Sequence, residues 1–135
     1  MLPTEDYVTT ADGVRLFVHK LGSGPQTVVI PNGFYLFDDF KHLAEGRSLV
    51  FLDLRNRGRS DAVSDSGKLK RGIHHNVDDL EAVRQHLGIA QMNLLGHSYA
   101  GLVVILYAMT YPAQVNRMVQ IGPMDPFTAS DTRRT

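Results

Sequence analysis

The sequence predicts an α/β fold, a mostly parallel sheet with flanking helices, and three observations carry that expectation. Apolar runs of strand length alternate with segments of helix length along the chain. Two of the runs, residues 27–31 and 48–54, are rich in β-branched and apolar residues, as expected of parallel strands covered on both faces. A third run, residues 92–95, enters a corner of small residues. The segment beyond it, residues 101–111, is apolar nearly all round and so belongs inside the domain as a helix.

Each element has its own local reason. Residues 6–10 and 14–20 flank Ala11-Asp12-Gly13 and read as a hairpin, because Asp-Gly supplies a positive-φ turn and Val14, Leu16 and Val18 alternate. Gly22-Ser23-Gly24-Pro25 ends it. The strand over residues 27–31 runs into Asn32-Gly33, a short helix fits around residues 38–44, and the strand over 48–54 follows. Residues 55–71 are polar and glycine-punctuated, hence loop. Val77, Leu80, Val83 and Leu87 fall at helical spacing with Gly88 as the stop. Pro112 closes the apolar helix, and residues 115–121 form a last strand before Gly122-Pro123.

Composition narrows the function. The 135 residues carry 14 Lys+Arg against 14 Asp+Glu, so no excess of positive charge argues for a nucleic-acid or anionic-membrane partner. The chain has no cysteine, which excludes a disulfide framework, a thiolate metal site and a cysteine nucleophile. The longest apolar run, residues 100–109, is too short to span a bilayer, and the first residues lack the basic and apolar regions of a secretory signal. The expectation is a cytoplasmic protein with no cofactor, no metal, no nucleic-acid partner and no membrane partner.

The chemistry concentrates at Gly96-His97-Ser98-Tyr99-Ala100-Gly101, where a serine has small residues two positions to either side, between a strand and a helix. In a nucleophile elbow the serine backbone is strained, and a larger side chain at either flanking position collides with its surroundings. The corner aims the first turn of the helix at the serine, so the N–H of Tyr99 and the helix dipole favour negative charge there. The competing account is a strand-to-helix turn with Ser98 as an ordinary N-cap.

With these residues the sequence resembles the α/β-hydrolase superfamily, in the branch of proline-iminopeptidase-like and carboxylesterase-like serine hydrolases. Val28-Val29-Ile30-Pro31-Asn32-Gly33-Phe34 stands where that family has a strand ending in a His-Gly oxyanion loop, with Asn32 in place of the histidine. Asp53-Leu54-Arg55-Asn56-Arg57-Gly58-Arg59-Ser60 is similar to its Asp-x-Arg-x-x-Gly-x-Ser segment, a structural turn. Residues 78–88 look like the helix before the nucleophile strand, and residues 118–123 like the strand after the nucleophile helix. The resemblance implies Ser98 as the nucleophile and Phe34 and Tyr99 as oxyanion donors, each worth on the order of 3 kcal/mol. It implies Gly96, His97, Ala100 and Gly101 as the elbow, with His97 packed behind the strand. Tyr35, Phe37 and Phe34 would wall the substrate pocket, with ordinary core as the equal alternative, and Asp125 would line the pocket or, in a minority arrangement, serve as the triad acid.

The histidines fix what is missing. All six, at positions 19, 42, 74, 75, 86 and 97, precede Ser98, whereas this fold orders serine, acid, histidine. His74 and His75 read as a solvated helix start. Residues 1–126 are therefore expected to be the N-terminal part of the hydrolase core and 127–135 the start of a cap or lid. A complementary C-terminal chain would supply the catalytic His and an Asp. The expected activity is hydrolysis of a small ester through an acyl-enzyme. A proline-iminopeptidase-like aminopeptidase or amidase, and a non-catalytic binding protein on the same fold, are the alternatives.

Overall fold

Gly13, at φ 84°, makes the turn that joins β1 (Thr4–Thr9) to β2 (Arg15–Gly22), and the hairpin pairs Thr9 with Arg15 and Thr4 with Lys20. The computed structural model describes residues 4–122. Strands β3 (Thr27–Pro31), β4 (Ser48–Leu52), β5 (Met92–His97) and β6 (Val115–Ile121) complete a sheet of order β1-β2-β4-β3-β5-β6. The pairs β3/β4, β3/β5 and β5/β6 are parallel, while β2 joins β1 and β4 antiparallel. Every expected strand is present, the fourth ending two residues early at Leu52.

Period-two alternation sorts the strands' side chains between two covers. Val50 and Leu52 of β4 pack with Val29, Leu94 and residues of two helices, α2 (Ile73–Leu87) and α3 (Tyr99–Thr110). Leu49 and Phe51 point the other way, with Ile30, Leu95 and Leu36 of the helix α1 (Gly33–Phe40). This helix corrects an expectation: it starts at Gly33, directly on the end of β3, with a 3-10 turn over Lys41–Ala44 after it. Gly33 permits the start because a Cβ there would sit 2.6 Å from Cβ of Phe51. The first turn of α1 therefore lies flush against β4.

The polar segment 55–71 is loop except for a 3-10 turn at Ser66–Lys68, and one buried side chain organises it. Arg55 forks onto Asp79 of α2, with Nε 2.9 Å from Oδ2 and Nη2 2.6 Å from Oδ1, and also donates to Asp12 at 2.9 Å and to the Lys68 carbonyl at 2.7 Å. Burial pushes the Asp79 carboxyl up, and the Arg55 fork opposes it. The more open Asp12 behaves oppositely: its hydrogen bond from Arg55 lowers its pKa to about 2. A carboxyl depressed on folding stabilises above its unfolded pKa, and that stability is lost as pH falls through the folded value. Asp12→Asn is expected to lower the urea midpoint at pH 7 and to converge on the parent as pH falls from 4 towards 2. A difference that stays constant over that range would contradict the pairing.

Among the described residues β6 has one neighbour, β5, and Met118, Val119 and Ile121 are 37%, 54% and 38% exposed. A groove of about 540 Å³ opens on the α1 side of β5 and β6, with Val28, Leu43, Leu95 and Val119 in its wall. No helix among the described residues is long and apolar enough to cross a membrane. The expected cap or lid, residues 127–135, lies outside the described residues.

Candidate active site

Three strand ends converge on the site, because β4, β3 and β5 are adjacent and parallel and deliver Asp53, Asn32-Gly33 and Ser98 to the same edge of the sheet. Ser98 has φ 56° and ψ −123°, a conformation that L-residues avoid and that persists only where the surroundings impose it. The imposition is visible at Gly96. A Cβ there would lie 2.5 Å from the Ala100 carbonyl oxygen and 2.8 Å from Cα of Gly101, while Ala100 and Gly101 are themselves buried. Gly96→Ala is expected to displace the elbow and to cost about 1–3 kcal/mol, read as a lower urea midpoint. An unchanged midpoint would mean that the corner is not tight.

Ser98 stands at the N-cap position of α3, yet its side chain makes no capping hydrogen bond. The ordinary reason for a serine at this position is therefore missing. Its backbone is held instead, by Ser98 N–H to the Ile121 carbonyl at 3.2 Å and Gly101 N–H to the Ser98 carbonyl at 2.9 Å. Tyr99 opens α3, and amides in the first turn have no acceptor within their own helix. Its phenol donates to Asn76 Oδ1 of α2 at 2.6 Å, its ring lies under the Arg57 guanidinium at 5.1 Å, and burial pushes its pKa up.

The amide of the other expected oxyanion donor, Phe34, is engaged elsewhere. The N–H of Phe34 donates to Asp53 Oδ1 at 2.8 Å, because the start of α1 points at a carboxylate that follows β4. Asp53 is 2% exposed, and its second oxygen takes the N–H of Arg59 at 3.0 Å. Burial raises its pKa and these two amides oppose the rise. The Ser60 hydroxyl bridges the Phe17 N–H, at 2.8 Å, and the Asp53 carbonyl. Asp53, Arg55 and Ser60 thus build a turn, as the sequence suggests. Asn32 sits in the left-handed region, φ 67° and ψ 46°, and its buried Oδ1 has no hydrogen-bond partner among the described residues.

The expected aromatic pocket is divided. Phe37 stacks on His19 at 4.3 Å, contacts Phe51 at 4.9 Å and, with Phe34, Phe17 and Arg59, walls a cavity of about 330 Å³. Tyr35 is outside that wall. It is 42% exposed, and its hydroxyl lies 2.8 Å from Nδ1 of His97. His97 is thereby tied to α1 rather than lost behind the strand. His75, expected in solvent, is buried, and its Nε2 has no partner among the described residues. Among the described residues no three His, Asp or Glu side chains converge as a metal site. Asp125 lies outside the described residues.

Two contacts escaped the sequence, Asn76 on Tyr99 and Tyr35 on His97. Asn76 could have been suspected only from its position, a polar residue on the buried side of α2 one place before Val77.

A family model described as alpha/beta hydrolase fold matches residues 27–135. A bifunctional esterase/perhydrolase of Acinetobacter calcoaceticus is 34% identical over 128 residues, covering 89% of this chain and 45% of that protein. Epoxide hydrolase 2 of Siraitia grosvenorii is 25% identical over 123 residues, covering 87% and 38%. The proline iminopeptidase-related protein of Thermus thermophilus superposes with a TM-score of 0.81 at 21% identity, over 91% of this chain and 45% of that one, a likeness of fold alone. The chain spans less than half the length of the relatives it matches.

Proposed function

The chain belongs to the alpha/beta hydrolase fold family, and on that premise we propose that Ser98 is the nucleophile of a serine hydrolase acting on small carboxylic esters. The relatives are enzymes that include an esterase and an epoxide hydrolase. The observation that carries the serine reading is the elbow itself, a strained Ser98 without a capping bond at the start of α3.

The chemistry follows from what surrounds that oxygen. A histidine, supplied with an Asp by a complementary C-terminal segment, takes the Ser98 hydroxyl proton as Oγ attacks the ester carbonyl. The tetrahedral oxyanion receives the N–H of Tyr99. It receives the N–H of Phe34 once that amide passes from Asp53 to the developing charge. Collapse breaks the bond to the alkoxy group, which leaves as the alcohol with the proton from the histidine. Water then attacks the acyl-enzyme, giving up a proton to the same histidine, and the acid departs as Ser98 recovers its hydrogen. What supports such a segment is the outer edge of β6, which has no strand beside it among the described residues, together with the exposed Met118, Val119 and Ile121 and the adjoining groove.

The test is turnover by the chain together with its complementary segment. Short acyl esters are expected to be hydrolysed with a higher kcat/KM than N-terminal proline amides. The reverse order would favour the aminopeptidase, and no turnover of either, with the fold intact, would favour a binding protein.

A further inference from the structure

Phe34 is one hydrogen bond away from the role just given to it, so something must set how far its amide lies from Ser98. The first turn of α1 leaves the end of β3, the strand between β4 and β5. It is tethered to both neighbours. Towards β4, the Phe34 N–H is held by Asp53. Towards β5, the next residue, Tyr35, places its hydroxyl 2.8 Å from Nδ1 of His97, the residue immediately before Ser98. The Tyr35 ring also meets the rings of Phe34 at 5.1 Å and His97 at 5.7 Å, both edge-on, which keeps the three side chains in one cluster.

We propose that Tyr35 is a positioning residue, whose hydroxyl bond to His97 holds the first turn of α1 towards the elbow and so sets the Phe34 N–H within reach of an oxyanion on Ser98. The role rests on the serine-hydrolase reading above. It does not depend on which partner carries the proton. A neutral Nδ1 accepts from the phenol, and a protonated Nδ1 donates to the phenolic oxygen. Removing the hydroxyl leaves the Asp53 tether alone, and the amide then stays with the carboxylate. Because the amide is needed only when charge develops, the loss falls on kcat rather than on KM.

The experiment measures kcat and KM for a short acyl ester with the chain and its complementary segment, in Y35F, H97L, H97N and the Y35F/H97L pair. Tyr35→Phe is expected to lower kcat about tenfold with KM unchanged, as for the loss of one positioning hydrogen bond. H97L should match it, and the double variant should be no worse than either single one, because both remove the same bond. Asn places an oxygen near the Nδ1 position, so H97N should recover much of what H97L loses. An unchanged kcat in Y35F, a rise in KM alone, additive losses in the double variant, or equal losses in H97N and H97L would each overturn the proposal. Parent protein with no Ser98-dependent turnover would overturn the serine-hydrolase reading and this role together. Parent turnover with an unimpaired Y35F would overturn this role alone.

Discussion

Ser98→Ala is expected to lower kcat for ester hydrolysis by at least about 10⁴-fold, the scale seen when the nucleophile of a serine hydrolase is removed. The same variant should be as stable as its parent or slightly more so. Ser98 makes no capping bond, so alanine forfeits none. Had the serine been an ordinary N-cap, its loss would cost roughly 1 kcal/mol. The two outcomes separate the accounts: loss of turnover with retained melting temperature marks a residue strained for chemistry, and retained turnover with lowered melting temperature marks a cap.

The largest effect on stability is expected at Arg55. Its side chain is 4% exposed, and that of its partner Asp79 is 1% exposed. Arg55→Ala leaves that carboxylate buried and uncompensated, which costs about 3–5 kcal/mol when one partner of a buried pair is removed. It also severs the ties to Asp12 and to the Lys68 carbonyl, so the 55–71 loop loses its anchor on α2. Lysine should restore only part of the loss, because a single ammonium cannot reproduce the two-point fork. Replacing both Arg55 and Asp79 by leucine should be milder than Arg55→Ala, since no unpaired charge remains. Urea midpoints of the three variants give the comparison. A shift below about 1 kcal/mol for Arg55→Ala would show that the pair is solvated and that α2 is held by its apolar face alone.

The effect should reach the site by a traceable route. Asp79 and Asn76 lie on the same helix, and Asn76 Oδ1 accepts from the phenol of Tyr99, the residue whose amide is proposed to receive the oxyanion. Loosening α2 therefore loosens one proposed oxyanion donor, and Arg55→Ala should lose activity even at temperatures where it remains folded.

What the sequence makes legible here is whatever a short window encodes. The hairpin is written in Asp12-Gly13, the parallel strands in β-branched runs, the stop of α2 in Gly88, at φ 66°, and the elbow in glycines and alanine around Ser98. The start of α1 is different. In sequence the strand runs into Asn32-Gly33 and a short helix fits only around residues 38–44, and it is the close approach to Phe51 across the sheet that accounts for a helix beginning at Gly33. The commitment of Phe34 N–H to Asp53 is likewise hidden, because it joins residues 19 apart through the β4-β3 pairing. The Tyr35–His97 contact spans 62 positions and depends on the strand order, which no local pattern states. Residue types that carry chemistry are visible in sequence, whereas the hydrogen bonds that aim them belong to the fold.

The proposed activity requires that Ser98 become a nucleophile when a complementary segment supplies the histidine that this chain lacks after that position. Incubation with a fluorophosphonate, followed by intact mass and peptide mapping, reads that event at the residue itself. The samples are the chain alone, the chain with its complementary segment, and the assembled Ser98→Ala variant. A single phosphonyl adduct on Ser98 is expected in the assembled parent, with none in the variant and little in the isolated chain. An adduct on another residue, or none in the folded assembly, would refute the assignment of Ser98.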